Sequence, residues 1–136
     1  MIMNSIFSKI IKGEIPCYKV AENEKFYAFL DINPLTIGHT LVVPKQEIDY
    51  LFDIDDALLQ EYITFVKRVA LAIENNVSCK RIAMSVIGLD VPHAHIHLIP
   101  LQTMDDVNFA KERVKLTCEE FQKIALQIEE TFNLFY

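Results

Sequence analysis

The stretch His93-Ala94-His95-Ile96-His97-Leu98-Ile99-Pro100 decides the reading of this chain. Imidazole and apolar side chains alternate in it with a period of two. In a β-strand, side chains i, i+2 and i+4 share one face. The spacing therefore predicts a strand over 93–99, ended by Pro100. His93, His95 and His97 share one side of it, while Ala94, Ile96 and Leu98 turn the other way into a core. One face is chemical and the other structural.

Working outward, Gly88-Leu-Asp-Val-Pro92 reads as a turn and 81–87 as the preceding strand. Before that, Leu58, Leu59, Tyr62, Phe65, Val66, Val69 and Ile73 recur at helical spacing. Asp53 or Asp55 would cap that helix, and Asn75-Asn76 would end it. Thr40 to Val43, closed by Pro44, is a third strand. Phe26 to Leu30 is the second, ended by the turn signal Asp31-Ile-Asn-Pro34, and Tyr18 and Val20 alternate as in a first. Ile6, Phe7, Ile10 and Ile11 give a short helix one apolar face, with Gly13 as its stop. Downstream, Thr117-Cys-Glu-Glu120 fits a capping box, and Phe121, Ile124, Ala125 and Ile128 continue an apolar stripe. Hairpin-like strands with one long helix between the third and fourth predict an α+β fold. It has a mainly antiparallel five-stranded sheet and a C-terminal helical extension. That stripe is expected to pack on the sheet or on a second subunit.

Composition narrows the class. The 136 residues suit one domain, and 51% hydrophobic with 24% charged residues is globular. A net charge of −6 argues against a nucleic-acid partner, while a small phosphate-bearing ligand needs only local donors. The three cysteines, Cys17, Cys79 and Cys118, are widely spaced and form no Cys-x-x-Cys pair. That favours a reducing compartment over a disulfide framework. The opening MIMNSIFSKIIKGEIP is too short and too charged for a signal peptide, and no run approaches a membrane span. The expectation is a cytoplasmic protein with no membrane partner.

Three histidines in register carry three readings. They form a polar sheet face without function, a metal site, or a nucleophilic centre. A closed zinc site wants a fourth ligand, which His39 could supply. A neutral imidazole is also a good nucleophile toward phosphorus near pH 7.

The block HAHIHLI resembles the His-x-His-x-His-x-x pattern of the histidine triad (HIT) superfamily. The resemblance extends beyond it. Ile6 to Pro16 is similar to the opening of the Hint-like branch. Phe29-Leu-Asp31-Ile32-Asn-Pro34 is similar to its ribose-binding turn, and Gly38-His39-Thr-Leu-Val-Val-Pro44-Lys45 to the strand carrying a fourth histidine. These blocks stand in family order over roughly the first hundred residues, a more specific signal than one motif.

The resemblance implies a HIT domain over residues 1–104, a C-terminal helical extension over 105–136, and a homodimer whose two sheets join. It implies a purine nucleotide phosphoramidase or related hydrolase that needs no cofactor or metal. His95 would attack the α-phosphorus and form a covalent nucleotidyl intermediate. His97 would polarise phosphoryl oxygens, with His93 and His39 in support. Asp31 would take the ribose hydroxyls, and Phe7, Ile10, Phe29, Ile32 and Leu41 would wall the base. Ser85, Gly88, Leu89, Asp90 and Val91 would stand at the nucleotide's phosphate side. The alternatives are a nucleotide-binding regulatory module with little turnover, and a metal-binding hydrolase using His93, His95 and His97.

Two departures from the family pattern matter. Many members carry Gly-Gln-Ser/Thr-Val before the first triad histidine, where this chain has Gly88-Leu89-Asp90-Val91. Leu89 cannot donate a hydrogen bond, and Asp90 is anionic. Compact nucleoside monophosphate conjugates are therefore expected over dinucleoside polyphosphates. Ser5 and Ser8 stand where some members bear a zinc-binding cysteine pair, so no structural zinc is expected.

Overall fold

A computed structural model of the chain describes residues 4–136. The elements in chain order are α1 (Ile6–Ile11), β1 (Lys19–Glu22), β2 (Phe26–Leu30), β3 (Thr40–Pro44), α2 (Asp56–Glu74), β4 (Arg81–Ser85), β5 (Ile96–Leu101) and α3 (Cys118–Phe135). All strand pairs are antiparallel, in the spatial order β1-β2-β3-β5-β4. The α+β class and the five-stranded sheet are as expected. The last strand, β5, inserts between β3 and β4, so the strands flanking the long helix are not neighbours.

The caps explain the helix limits. Asp55, the second of the two candidate caps, accepts the Leu58 N–H at 2.8 Å and starts α2. Thr117 and Glu120 form the expected reciprocal box at the start of α3. One face of the sheet buries Val20, Ala28, Val42, Ala94, Ile96 and Leu98 under α2 and α3. Helix α3 contributes Phe121, Ala125, Ile128 and Phe132 to that same core. The opposite face packs a smaller cluster under α1: Phe7, Ile10, Tyr27, Phe29, Leu41 and Val43. Among the described residues, no helix is long and apolar enough to cross a membrane.

The strand limits differ from the expectation in three ways. β4 ends at Ser85, two residues early. β3 and β5 both run through their prolines. In β5, the Pro100 carbonyl accepts the Thr36 hydroxyl at 2.8 Å. Its main-chain polar groups thus face the side where β3 has already ended at Thr40, and no ladder N–H is missed. The third difference matters most: β5 starts at Ile96, so His93 and His95 precede the strand. The ladder between β3 and β5 begins at Val42 opposite Ile96. Upstream, the Ala94 N–H donates to Ile48 O at 2.7 Å instead. The alternation of faces nevertheless holds through 93–98, with Ala94, Ile96 and Leu98 in the larger core.

Gly38 sets up the turn that delivers His39. Its φ of +91° lies in the left-handed region, and a Cβ there would approach Val77 Cγ2 to 2.9 Å and Pro100 Cγ to 3.3 Å. Strain and contact act together. Gly38→Ala should lower unfolding stability by about 2 kcal/mol in urea titration. An unchanged midpoint would show that the turn relaxes freely.

Candidate active site

Four side chains stand in one cross-strand row: Phe29, Leu41, His97 and Ser85 are register partners across β2, β3, β5 and β4. Partners opposite one another share a face of the sheet. This row lies on the α1 side, where Phe7 packs 5.6 Å from the Phe29 ring. The Phe7 ring also stands 5.0 Å from His95 and 5.8 Å from His93. The His95 and His97 rings are 5.1 Å apart, and His39 lies 5.2 Å beyond His97. All four histidines are buried.

Their hydrogen bonds fix their tautomers, because a backbone N–H only donates and a carbonyl only accepts. The Leu35 N–H donates to His39 Nδ1 at 3.0 Å, so neutral His39 carries its proton on Nε2. That proton goes to His97 Nδ1 at 2.9 Å, which leaves His97 with an Nε2–H. His93 Nε2–H donates to Pro44 O at 2.7 Å, so its Nδ1 accepts the Ser5 hydroxyl at 2.7 Å. His95 Nδ1–H donates to the His93 carbonyl at 2.8 Å. The remaining ring nitrogen, His95 Nε2, keeps its lone pair. The array thus presents one nucleophile and, on the next ring, one N–H donor.

Burial keeps His39, His93 and His97 neutral. Desolvation first, then the charges of His97 and Arg113, lower His39 to about 3. Desolvation, then His95 and Arg113, lower His97 to about 4, with Asp90 opposing. Desolvation also lowers His93, against the Pro44 carbonyl and Glu47. Asp31, at the end of β2, accepts the Asn33 N–H at 2.8 Å and lies 3.6 Å from His39 Nε2. Its burial raises its carboxyl, against the Asn33 N–H and the charges of Arg113 and His95.

Among the expected site residues, Phe7, Ile10, Phe29 and Leu41 converge in the smaller cluster, and Val91 packs against it. Ser85 faces His97 across the ladder. Two residues stay apart. Ile32 is 72% exposed on its turn and Leu89 88% exposed on its loop, and neither joins the apolar cluster. Gly88 takes a φ of +75° in that loop. Asp90 is exposed but close enough for its charge to act on His97.

The three triad rings do not form a shared metal-ligand set, since both nitrogens of His93 are engaged elsewhere. Among the described residues, Asp31, His39 and His97 do bring ligand atoms within 4.8 Å of one another. Two of those atoms, His39 Nε2 and His97 Nδ1, are already hydrogen-bonded to each other.

Sequence reasoning missed two residues from the segment before α3. Phe109 sets its ring 5.1 Å from His97 and 6.4 Å from His39, edge-on to both. Arg113 lies over the Phe109 ring at 5.7 Å and donates to Asn33 O at 2.8 Å, beside the Asp31 turn. No motif marks either residue. Only the folding of that segment onto the turn, with the Val114 N–H on Pro34 O at 2.9 Å, brings them in.

Known proteins resemble this chain in sequence and fold. The HIT domain family model matches residues 12–104. An uncharacterized HIT-like protein of Borreliella burgdorferi is 36% identical over 137 residues, covering 90% of this chain and 94% of that one. An adenosine 5′-monophosphoramidase of Schizosaccharomyces pombe is 38% identical over 99 residues, covering 72% and 74%. The crystal structure of a HIT-like protein from Bartonella henselae, described as involved in cell-cycle regulation, superposes with a TM-score of 0.79 at 31% identity. It covers 94% of this chain and 96% of its own. The matched domain holds all four histidines of the array, and on these likenesses the chain belongs to the HIT family.

Proposed function

We propose that the chain is a nucleotide hydrolase that cleaves the α-phosphorus bond of a purine nucleoside phosphoramidate or related conjugate. The observation that carries this reading is the bare His95 Nε2, aimed by the bond from Nδ1–H to the His93 carbonyl. The relative named an adenosine 5′-monophosphoramidase supports the substrate class.

In this reading His95 Nε2 attacks phosphorus, the P–N bond breaks and the amine leaves with a proton taken from solvent, which the attack of water later returns. The nucleotidyl-imidazolium keeps its Nδ1–H on the His93 carbonyl. Water then attacks phosphorus, releases the monophosphate and returns a neutral ring. Two easier displacements replace one hard one. His97 Nε2–H is placed to donate to a phosphoryl oxygen or the departing amine, and His39 holds it in that tautomer. The Asp31 carboxylate takes the ribose hydroxyls. Phe7, Ile10, Phe29 and Leu41 line the base side. Phe109 covers the far side of His97. Residues 1–104 act as the HIT domain and 105–136 as its extension.

The same reading includes a homodimer. β4 is an edge strand, and Met84, Val86 and Ile87 are exposed along and just beyond it. Pairing two β4 edges would cover them and join the sheets. A dimer in sedimentation velocity at micromolar concentration is expected, and a monomer there removes this element.

The chemical step is tested by intact-protein mass spectrometry after brief mixing with adenosine 5′-phosphoramidate in the presence of a chelator. An adenylyl adduct or released AMP is expected. His95→Ala should lose the adduct and lower kcat by about 10⁴-fold or more. A dinucleoside polyphosphate run alongside should react more slowly, because Asp90 stands near His97. Neither adduct nor AMP would leave the binding-module reading, and turnover only on adding zinc would leave the metal reading.

The neutral array also fixes an acid limit on stability. Folded His39, His93 and His97 titrate below the ordinary imidazole value of about 6.5. Below about 6.5 the unfolded chain therefore binds more protons, and stability falls as pH falls. Each ring that stays neutral removes about 1.4 kcal/mol per pH unit until its folded value is reached. For His97 that value is about 4 and for His39 about 3. Urea midpoints should fall steadily from about pH 7 to about pH 5. A constant midpoint over that range contradicts the neutral assignment.

A further inference from the structure

The segment carrying the first two triad histidines lies outside the ladder, so something other than the sheet must hold it. His93 does so with its ring. The ring is fully buried, so no water can replace a lost partner. Its Nε2–H is taken by the Pro44 carbonyl at 2.7 Å and its Nδ1 by the Ser5 hydroxyl at 2.7 Å. The main-chain carbonyl of the same residue aims His95. A displaced His93 ring therefore displaces the group that orients the nucleophile.

The Ser5 hydroxyl is held in its turn. It accepts the Ser8 N–H at 3.0 Å, and its single hydrogen goes to His93 Nδ1 at 2.7 Å ahead of Ser8 Oγ at 3.3 Å, because the Pro44 carbonyl leaves that nitrogen only an acceptor. Ser5 is placed by Glu47: Oε1 accepts the Ser5 N–H and the Ser8 hydroxyl, both at 2.8 Å. These two bonds tie the first turn of α1 to the loop after β3. Both supports of the His93 ring then trace to one short stretch, Pro44 directly and Glu47 through Ser5. The two bonds also hold the Glu47 carboxyl below the usual carboxylate range, the Ser5 N–H first and the Ser8 hydroxyl second.

We propose that Glu47 is a positioning residue for catalysis: through Ser5 it holds the His93 ring, in the tautomer that the Pro44 carbonyl sets, where the main chain of His93 aims His95. This rests on the hydrolase reading for its catalytic consequence, but not for its structural one. A carboxylate that merely anchored α1 would affect stability alone. A support of His93 also affects the hydrogen bond that its Nδ1 receives. The needed feature is an acceptor oxygen at this position, so an amide oxygen suffices and the negative charge does not matter.

The test combines long-range proton–nitrogen NMR of the histidine rings in ligand-free protein with kcat and KM on adenosine 5′-phosphoramidate. The wild type should show His93 as a single tautomer, protonated at Nε2. In Glu47→Ala the His93 Nδ1 shift should move downfield as its Ser5 donor is displaced, while Nε2 stays protonated on the Pro44 carbonyl. Its kcat should fall about tenfold, the scale of a lost supporting shell, with KM within about twofold. Glu47→Gln should restore both the spectrum and kcat. If Glu47→Ala does not fold, Glu47→Asp withdraws the oxygen by one methylene and serves in its place. An unchanged His93 spectrum in the shortened variant overturns the proposal, and so does a Gln variant that fails as badly as Ala. If even the wild type turns over no substrate, the hydrolase reading fails and the spectra still decide the role of Glu47.

Discussion

The structure of the site depends on one hydrogen bond, from His95 Nδ1–H to the main-chain carbonyl of His93. A histidine offers two nitrogens, and the partner of one decides what the other can do. A carbonyl can only accept, so this bond puts the proton on Nδ1 and frees Nε2. It also demands a carbonyl free of the sheet. Inside a regular strand that carbonyl would serve the ladder or point away from the ring two residues on. The late start of β5 at Ile96 is what makes it available.

That late start is affordable because the rest of the segment is held from elsewhere. Ala94 is anchored on Ile48 O, and the His93 ring spans from Pro44 O to Ser5. The sheet continues the division of labour. Its α2 and α3 face buries the larger apolar cluster, and its α1 face buries the histidines beside the smaller one. Stability and chemistry thus draw on opposite sides of the same strands. A change in the large core reaches the site only through the sheet. A change in α1 reaches it directly, through Phe7 and Ser5.

Much of this was legible in the sequence, for a definable reason. Alternation is a local signal, and it located Phe26–Leu30 to the residue and assigned every side chain of 93–98 to its face. Capping is equally local, and the Thr117–Glu120 box was readable as written. The limits of β3, β4 and β5 were not readable, because a strand ends where its partner ends. Pro100 reads as a terminator until β3 is seen to have stopped already. The nonlocal parts of the site were equally silent. Phe109 and Arg113 come from a segment with no motif, and Glu47 lies 39 residues from Ser8 and 42 from Ser5. Ile32 and Leu89, assigned to the nucleotide by resemblance, stand exposed on a turn and a loop.

Neutrality is the thread that joins these parts. Four imidazoles packed together would repel one another if charged, and burial makes charging costlier still. Each ring donates one proton and offers one acceptor, and each link runs from a fixed donor to a fixed acceptor: Leu35 to His39 to His97, and Ser5 to His93 to Pro44. Such a chain tolerates no extra proton, since an imidazolium would set two donors facing each other. It therefore keeps His97 Nδ1 an acceptor and leaves the His97 proton on Nε2. The hydrogen bonds that place the rings of His39, His93 and His97 are the same bonds that keep them uncharged, so their geometry and protonation state are set together.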